Sequence, residues 1–209
     1  MPPIPELEAI RKAQIIEAGL HTIARHGCAN VTMDDICKAA NLSKGGVAHY
    51  YRSKKELFKA VFNAFFDQIF QRGRETMALY DDPLDQVLSF DWLYDADDPD
   101  MEIGYPLLFD FMAVSVRDRE YREIFHDWIG NWVGLLSSAL EKGIQRGQFR
   151  ELDSLTTART ISAIYQGVAT RWYLDPDSHS RHWAVDSFQN AIRGLLAPYM
   201  NDKPTSMQR

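Results

Sequence analysis

From Lys54 to Tyr80 the chain carries Leu57, Phe58, Val61, Phe62, Phe65, Phe66, Ile69 and Phe70 at three- and four-residue steps, with no proline among them. A period near 3.6 sustained over that length permits only a long helix, and so wide a stripe predicts more than one packing neighbour. Helical periodicity runs through nearly all the rest, and no convincing alternating strand appears. The expected fold class is therefore all-α, with about nine helices. The 209 residues, 45% apolar, suffice for one large domain or two small ones.

Capping signals divide the chain. A first helix is predicted over Glu6–His26, with Ile10, Ala13, Ile16, Leu20 and Ile23 on one face and Gly27 as its C-terminal stop. Thr32 and Asp35 have the spacing of a capping box, opening a short second helix, Met33–Ala40. Asn41-Leu42-Ser43 reads as a tight turn. Ser43 caps a third helix, Lys44 to about Tyr51, and Ser53 with Glu56 opens the fourth. Beyond it, "DDPLDQVLSFDWLYDADDPDME" holds nine acids and no base, with Pro83 and Pro99 as breakers. Solvated loops are the commoner explanation of such a run; tuning of a pocket for a cation is the sharper one. Further helices are predicted at Pro83–Ala96, about Ile103–Val116, Asp118–Arg146, Ser154–Leu174 and Ser180–Met200. The tail "NDKPTSMQR", residues 201–209, is expected to be disordered.

The second helix, a three-residue turn and the third helix make a helix-turn-helix. In that arrangement the second member enters the major groove of DNA and the first crosses the backbone. The third helix opens with Gly45 and Gly46, although glycine costs roughly 1 kcal/mol relative to alanine inside a helix. Without side chains there, the helix N-terminus can approach a duplex closely and aim its free N–H groups at a phosphate or base edge. Lys44, His49, Tyr50, Lys54 and Lys55 surround that point with donors, the mixture expected for phosphate contacts. On spacing alone a second reading stays open: short helix pairs occur in proteins that never touch DNA. The tyrosines could then be packing and the lysines a solvated turn.

The run "VTMDDICKAANLSKGGVAHYYRSKKELF" closely resembles the DNA-binding domain of the tetracycline-repressor (TetR) family of bacterial transcription regulators, over residues 10–58. It shares the Thr at the start of the second helix, Ser-Lys-Gly opening the third, and Ser-Lys-x-Glu-Leu opening the fourth. The segment "EKGIQRGQFRELD" looks like the end of the family's seventh helix. The resemblance implies phosphate contacts for Thr32, Tyr50 and Lys54. It implies positions at or near the groove for Ser43, Lys44, Gly45 and His49, and it sets Gly46 at a variable position that often reads bases. Ala48 stands where the family often has a tyrosine.

The same resemblance implies a helical C-terminal domain that binds a small molecule and dimerises through its last two helices. The expected division is residues 1–55 for DNA, 56–200 for effector and dimer, with the fourth helix (54–80) linking them. Ile161, Tyr165, Val168, Phe188, Ile192 and Leu195 recur at helical steps that suit subunit packing, and an intramolecular core fits them equally. Trp92, Phe109, Met112, Trp128, Trp132, Tyr165 and Trp172 could line an apolar effector cavity; for any one of them core packing is the commoner role.

Net charge is −6, but residues 1–60 carry +3 and residues 61–209 carry −9, so only the first quarter suits an anionic partner. Cys28 and Cys37 are expected as reduced thiols, and the N-terminus lacks the pattern of a secretory signal, which points to the cytoplasm. No cofactor or metal is expected: His179 and His182 with Asp175 and Asp177 read as a loop. Nucleophile–base pairs and phosphate loops are not found, which argues against an enzyme. The expected function is a ligand-responsive regulator, a homodimer released from a palindromic operator by an effector. A helical interaction module or small-molecule binder without DNA binding is the alternative.

Overall fold

A computed structural model describes residues 5–201; residues 202–209 of the expected disordered tail lie outside the described residues. Those residues form α1 (Pro5–His26), α2 (Met33–Ala39), α3 (Lys44–Tyr50), α4 (Lys54–Ala78), α5 (Pro83–Leu88), α6 (Pro99–Ser115), α7 (Arg119–Gln145), α8 (Ser154–Leu174) and α9 (Arg181–Leu196). Among them there is no strand, and 3₁₀ turns occupy Asp91–Tyr94 and Ala197–Tyr199. The chain folds as two compact units. The first takes residues through Ile69 with Asp97–His126, and the second takes Phe70–Ala96 with residues from Asp127 on.

In the first unit the buried face of α1 is Ile15, Gly19 and Ile23. This corrects the expected stripe: Ile10 is 62% exposed, Ala13 is exposed, and Ile16 and Leu20 are only half-buried. Gly19 explains the choice, because a Cβ there would lie 2.6 Å from Val61 Cγ2 of α4, so the two helices meet where one side chain is missing. The Phe-rich stripe of α4 finds a second neighbour in α6. Phe62 and Phe66 pack on Phe111 at 4.7 and 4.8 Å between ring centroids, and Phe65 lies 3.1 Å from the Cβ position of Gly104. Burying each such ring contributes about 1.5–3 kcal/mol.

In the second unit α5 stops at Leu88 instead of running to Ala96. The Ser89 N–H and hydroxyl both return to the Gln86 carbonyl, at 3.4 and 2.8 Å, which closes the helix at its C-cap. Pro99 begins a helix instead of breaking one: it sits in the first turn of α6, behind the Asp98 cap that accepts from the Asp100 N–H at 3.0 Å. α8 spans the expected residues behind an Asp153 cap, whereas α9 ends at Leu196 where Ala197–Tyr199 tightens into a 3₁₀ turn. The acidic run is partly structural. Asp82 caps α5 and accepts from Gln148 at 2.9 Å, and Asp91 pairs with Arg181 at 3.5 Å.

Candidate nucleic-acid interface

Local chemistry builds α2 and α3 as a helix-turn-helix. The Thr32 hydroxyl accepts from the Asp35 N–H while the Asp35 carboxylate takes the Thr32 N–H at 2.9 Å, closing the capping box. The Thr32 hydroxyl and backbone hold the Asp35 carboxyl below its usual range. The turn is made by Asn41 at φ +53°, a left-handed conformation that asparagine tolerates. Ser43 then caps α3 by accepting from the Gly46 N–H at 3.1 Å. Val47 is the buried anchor of α3, leaving Ser43, Lys44, Gly45 and His49 exposed, with the His49 ring edge-on to Tyr50 at 4.9 Å. The Gly45 Cβ position has no atom within 4 Å, and that of Gly46 meets only Ser43 Oγ at 3.3 Å.

The cations at this surface are not equivalent. Lys44 is 77% exposed and pairs with Asp34 of α2 at 2.5 Å, a hydrogen bond that raises its pKa. Lys54 is half-buried and donates to the Cys28 carbonyl at 2.9 Å, beside the Phe58 ring. Lys55 pairs with Asp118 at 2.8 Å and Glu120 at 2.6 Å, and Lys59 also reaches Glu120 at 2.8 Å. Those bonds raise the Lys55 pKa and lower those of Asp118 and Glu120. Among the described residues Arg25, Lys38 and Arg52 have no ion pair. Arg52 went unremarked in the sequence; its signal is a cation at the α3–α4 corner, exposed, whose N–H alone is used, by Glu56 at 2.8 Å. The second capping box is accordingly offset: Ser53 takes the Glu56 N–H, but Glu56 returns to Arg52.

The expected effector residues divide between the units: Phe109 and Met112 are in the first, the others in the second. There Trp132 meets Phe90 at 5.3 Å, Phe90 meets Tyr165 at 5.3 Å, and Tyr94 connects Phe188 to Trp172. Tyr165 is part of this core, since its hydroxyl donates to the Val87 carbonyl and burial pushes its pKa well up. Trp92 lies under the Arg72 guanidinium at 4.1 Å, and Trp128 is half-buried on α7. The indole N–H atoms of Trp92 and Trp132 are buried and find no acceptor.

Of the expected dimer stripe, Ile161, Phe188 and Ile192 are 0% exposed and Tyr165 8% exposed within one chain, where the Tyr165 ring of α8 meets Phe188 of α9 at 5.1 Å. Only Val168 and Leu195 of that set keep partial exposure. Helical spacing marks a buried face without saying whether the partner is the same chain.

Two short helices, each capped by a side-chain hydroxyl at its N-terminus, with a bare glycine turn facing outward, define a helix-turn-helix DNA-binding protein. The family profile described as "Bacterial regulatory proteins, tetR family" matches residues 15–61, and "BetI-type transcriptional repressor, C-terminal" matches residues 90–197. The transcriptional repressor KstR2 of Mycolicibacterium smegmatis is 25% identical over 97% of this chain and 98% of its own. The regulator BetI of Stenotrophomonas maltophilia is 40% identical over 39% of this chain and 42% of its own. A TetR-family regulator of Cytophaga hutchinsonii has the same fold, with a TM-score of 0.81 at 20% identity, covering 92% of this chain and 96% of its own. The chain belongs to the TetR family of bacterial regulatory proteins and is a DNA-binding transcriptional regulator. Its relatives are named as transcriptional regulators, and none of its described helices is long and apolar enough to cross a membrane.

Proposed function

We propose that the protein is a cytoplasmic homodimeric repressor that reads a palindromic operator through α3 and is released by a small-molecule effector held in the second unit. Gly45 carries the DNA half of this reading. Some glycines have internal reasons, a Cβ at Gly73 lying 2.3 Å from Trp132 and one at Gly143 2.3 Å from Phe149, whereas Gly130, Gly134 and Gly194, like Gly45, have no atom within 4 Å. What sets Gly45 apart is its place in the exposed first turn of α3. Gly45 has neither a close neighbour nor a positive φ, so nothing inside the chain offsets its cost of roughly 1 kcal/mol. The room it leaves serves a partner outside. The reader set is Thr32, Ser43, Lys44, Gly45, Gly46, His49 and Tyr50, to which Arg52 is added.

Two recognition helices spaced by about one turn of DNA require two chains. For that contact α8 and α9 offer Val168 and Leu195 with the exposed Leu155 and Leu174. The effector half rests on Trp92 and Trp132. A buried N–H without an acceptor costs about 1–3 kcal/mol, which favours an effector with an apolar body and a hydrogen-bond acceptor. Function divides near residue 55, and α4 contributes residues to both units.

The test is a mobility shift on a palindromic duplex from the protein's own promoter region, titrated with compounds that quench tryptophan fluorescence. Release should track quenching over one concentration range, and bound operator should weaken the compound by the same factor. A protein that shifts no such duplex, or a complex that no quenching compound loosens, would sink the corresponding half.

A further inference from the structure

The backbone of Cys28 is held on both sides of its Cα by helices that flank the reader. Its N–H donates to Asp110 Oδ2 of α6 at 2.7 Å, and its carbonyl accepts from Lys54 Nζ of α4 at 2.9 Å. The N–H of the Gly27–Cys28 peptide therefore faces a carboxylate and the carbonyl of the next peptide, Cys28–Ala29, faces an ammonium, and charge-assisted bonds of this kind are about twice as strong as neutral ones. Gly27 sets the corner: it ends α1 at φ +79°, a left-handed conformation that side chains rarely adopt. The corner beyond is compact, since the Asn30 and Val31 N–H groups both return to the Gly27 carbonyl, at 3.1 and 3.2 Å. Thr32, the cap of α2, follows at once, so moving the backbone at Cys28 moves the start of the reader.

We propose that Asp110 and Lys54 are positioning residues that clamp the backbone on both sides of Cys28 and so fix α2 and α3 against α6, with Lys54 serving this clamp instead of a DNA phosphate. The inference rests on the DNA-binding reading of α3, but it assigns Lys54 a different job from its neighbours. Lys54 directs its ammonium at a backbone carbonyl beside an aromatic ring, whereas Lys44 is exposed in a surface ion pair. Asp110 faces a backbone N–H and carries the charge that DNA repels. Its removal acts in opposite directions under the two explanations: simple electrostatics strengthens DNA binding, and loss of the clamp weakens it.

The test uses the full-length protein on the palindromic duplex, with Lys54→Met, Asp110→Ala, Asp110→Asn and, as control, Lys44→Ala. Circular dichroism checks each fold. Wild-type binding and its salt dependence check the DNA reading separately from the variants. Lys44→Ala should reduce the log–log salt slope by about 0.9 per protomer, the loss of one phosphate contact. Lys54→Met should lower affinity by about tenfold with that slope unchanged, and Asp110→Ala should also lower affinity, while Asp110→Asn, which keeps an acceptor oxygen, recovers most of it. Hydrogen exchange at the Cys28 amide, followed by NMR without DNA, should quicken in Asp110→Ala and much less in Asp110→Asn. The clamp is overturned by a salt slope that shrinks in Lys54→Met as it does in Lys44→Ala. It is equally overturned by tighter DNA binding in Asp110→Ala, or by equal Cys28 exchange in the two Asp110 variants.

Discussion

Replacing Gly45 by alanine should make the protein more stable and a worse DNA binder at once. Inside a helix the exchange is worth about 0.8–1.0 kcal/mol, and by restricting the unfolded chain about 0.4–1 kcal/mol. Nothing offsets that gain sterically, because the added Cβ has no atom within 4 Å. Gly45 lies in the first turn of the seven-residue α3, where propensity is only partly expressed, so about 0.5 kcal/mol is the expected gain. For a chain of this size that raises the melting temperature by roughly 1–2 °C. Gly46→Ala should gain less, since its Cβ would sit 3.3 Å from the Ser43 oxygen that caps the helix. Operator affinity should move the other way, by roughly tenfold for Gly45→Ala and at least about a hundredfold for Gly45→Leu, whose side chain fills the clearance. Thermal melts by circular dichroism and anisotropy titrations of a labelled duplex, on the same preparations, give both numbers. If Gly45→Leu folds and binds within about twofold of wild type, the turn is not held open for DNA. If Gly45→Ala destabilises the protein, the glycine belongs to the fold and clearance for DNA is not its reason.

Salt dependence should reflect the committed cations. With Lys54 and Lys55 held internally, a dimer bringing Lys44 and Arg52 to phosphates should show a log–log slope of roughly −4, and one near −7 would mean that Lys54 and Lys55 also reach DNA. Burial, reinforced by Asp110, pushes the Cys28 thiol up to about 12, so native Cys28 should react with a thiol reagent at pH 8 about three orders of magnitude more slowly than in urea. Rapid native labelling at Cys28 would show that the corner opens. The Lys55 cluster should be flat near neutrality. The raised Lys55 pKa contributes stability that is lost only as pH climbs through and above the lysine range, and the lowered Asp118 and Glu120 values contribute stability lost only in acid. The stability gap between wild type and Lys55→Ala, from urea melts, should stay constant between about pH 5 and 9 and shrink beyond both ends; a gap that drifts inside that window refutes the assignment.

What the sequence disclosed was local. The caps Thr32 and Ser43, the stop at Gly27 and the whole of α8 depend on neighbours within a few residues, so spacing revealed them. What it concealed depends on partners far along the chain. α1 is apolar on two faces, and its packing on α2 and α6, with Val61 of α4 entering where Gly19 lacks a side chain, buries Ile15 and Ile23 in place of Ile10. Lys54 and Lys55 read as a basic turn, facing DNA or solvated, and their intrachain acceptors, at Cys28, Asp118 and Glu120, lie distant in sequence. The expected dimer stripe of α8 and α9 is largely a buried face within the chain, where the Tyr165 ring meets Phe188 of the other helix.

Those concealed contacts change what kind of reader this is. The +3 of residues 1–60 suggests a surface that attracts DNA by charge, yet Lys12, Lys44, Lys55 and Lys59 all pair with carboxylates of the same chain. Two of those carboxylates, Asp118 and Glu120, come from the acidic remainder, so part of the body's charge neutralises the reader's own base. The surface around α3 is left with N–H groups, hydroxyls, an imidazole and few cations. Such contacts act at hydrogen-bond range and weaken steeply when donor and acceptor separate or tilt, unlike long-range attraction between charges. A reader of this type gains little from being near DNA and depends on being placed correctly. Placement is what Gly45 permits on the outer side and what the Cys28 corner controls on the inner side. A displacement of that corner by about an ångström would therefore release operator without any change in the charge that the protein presents.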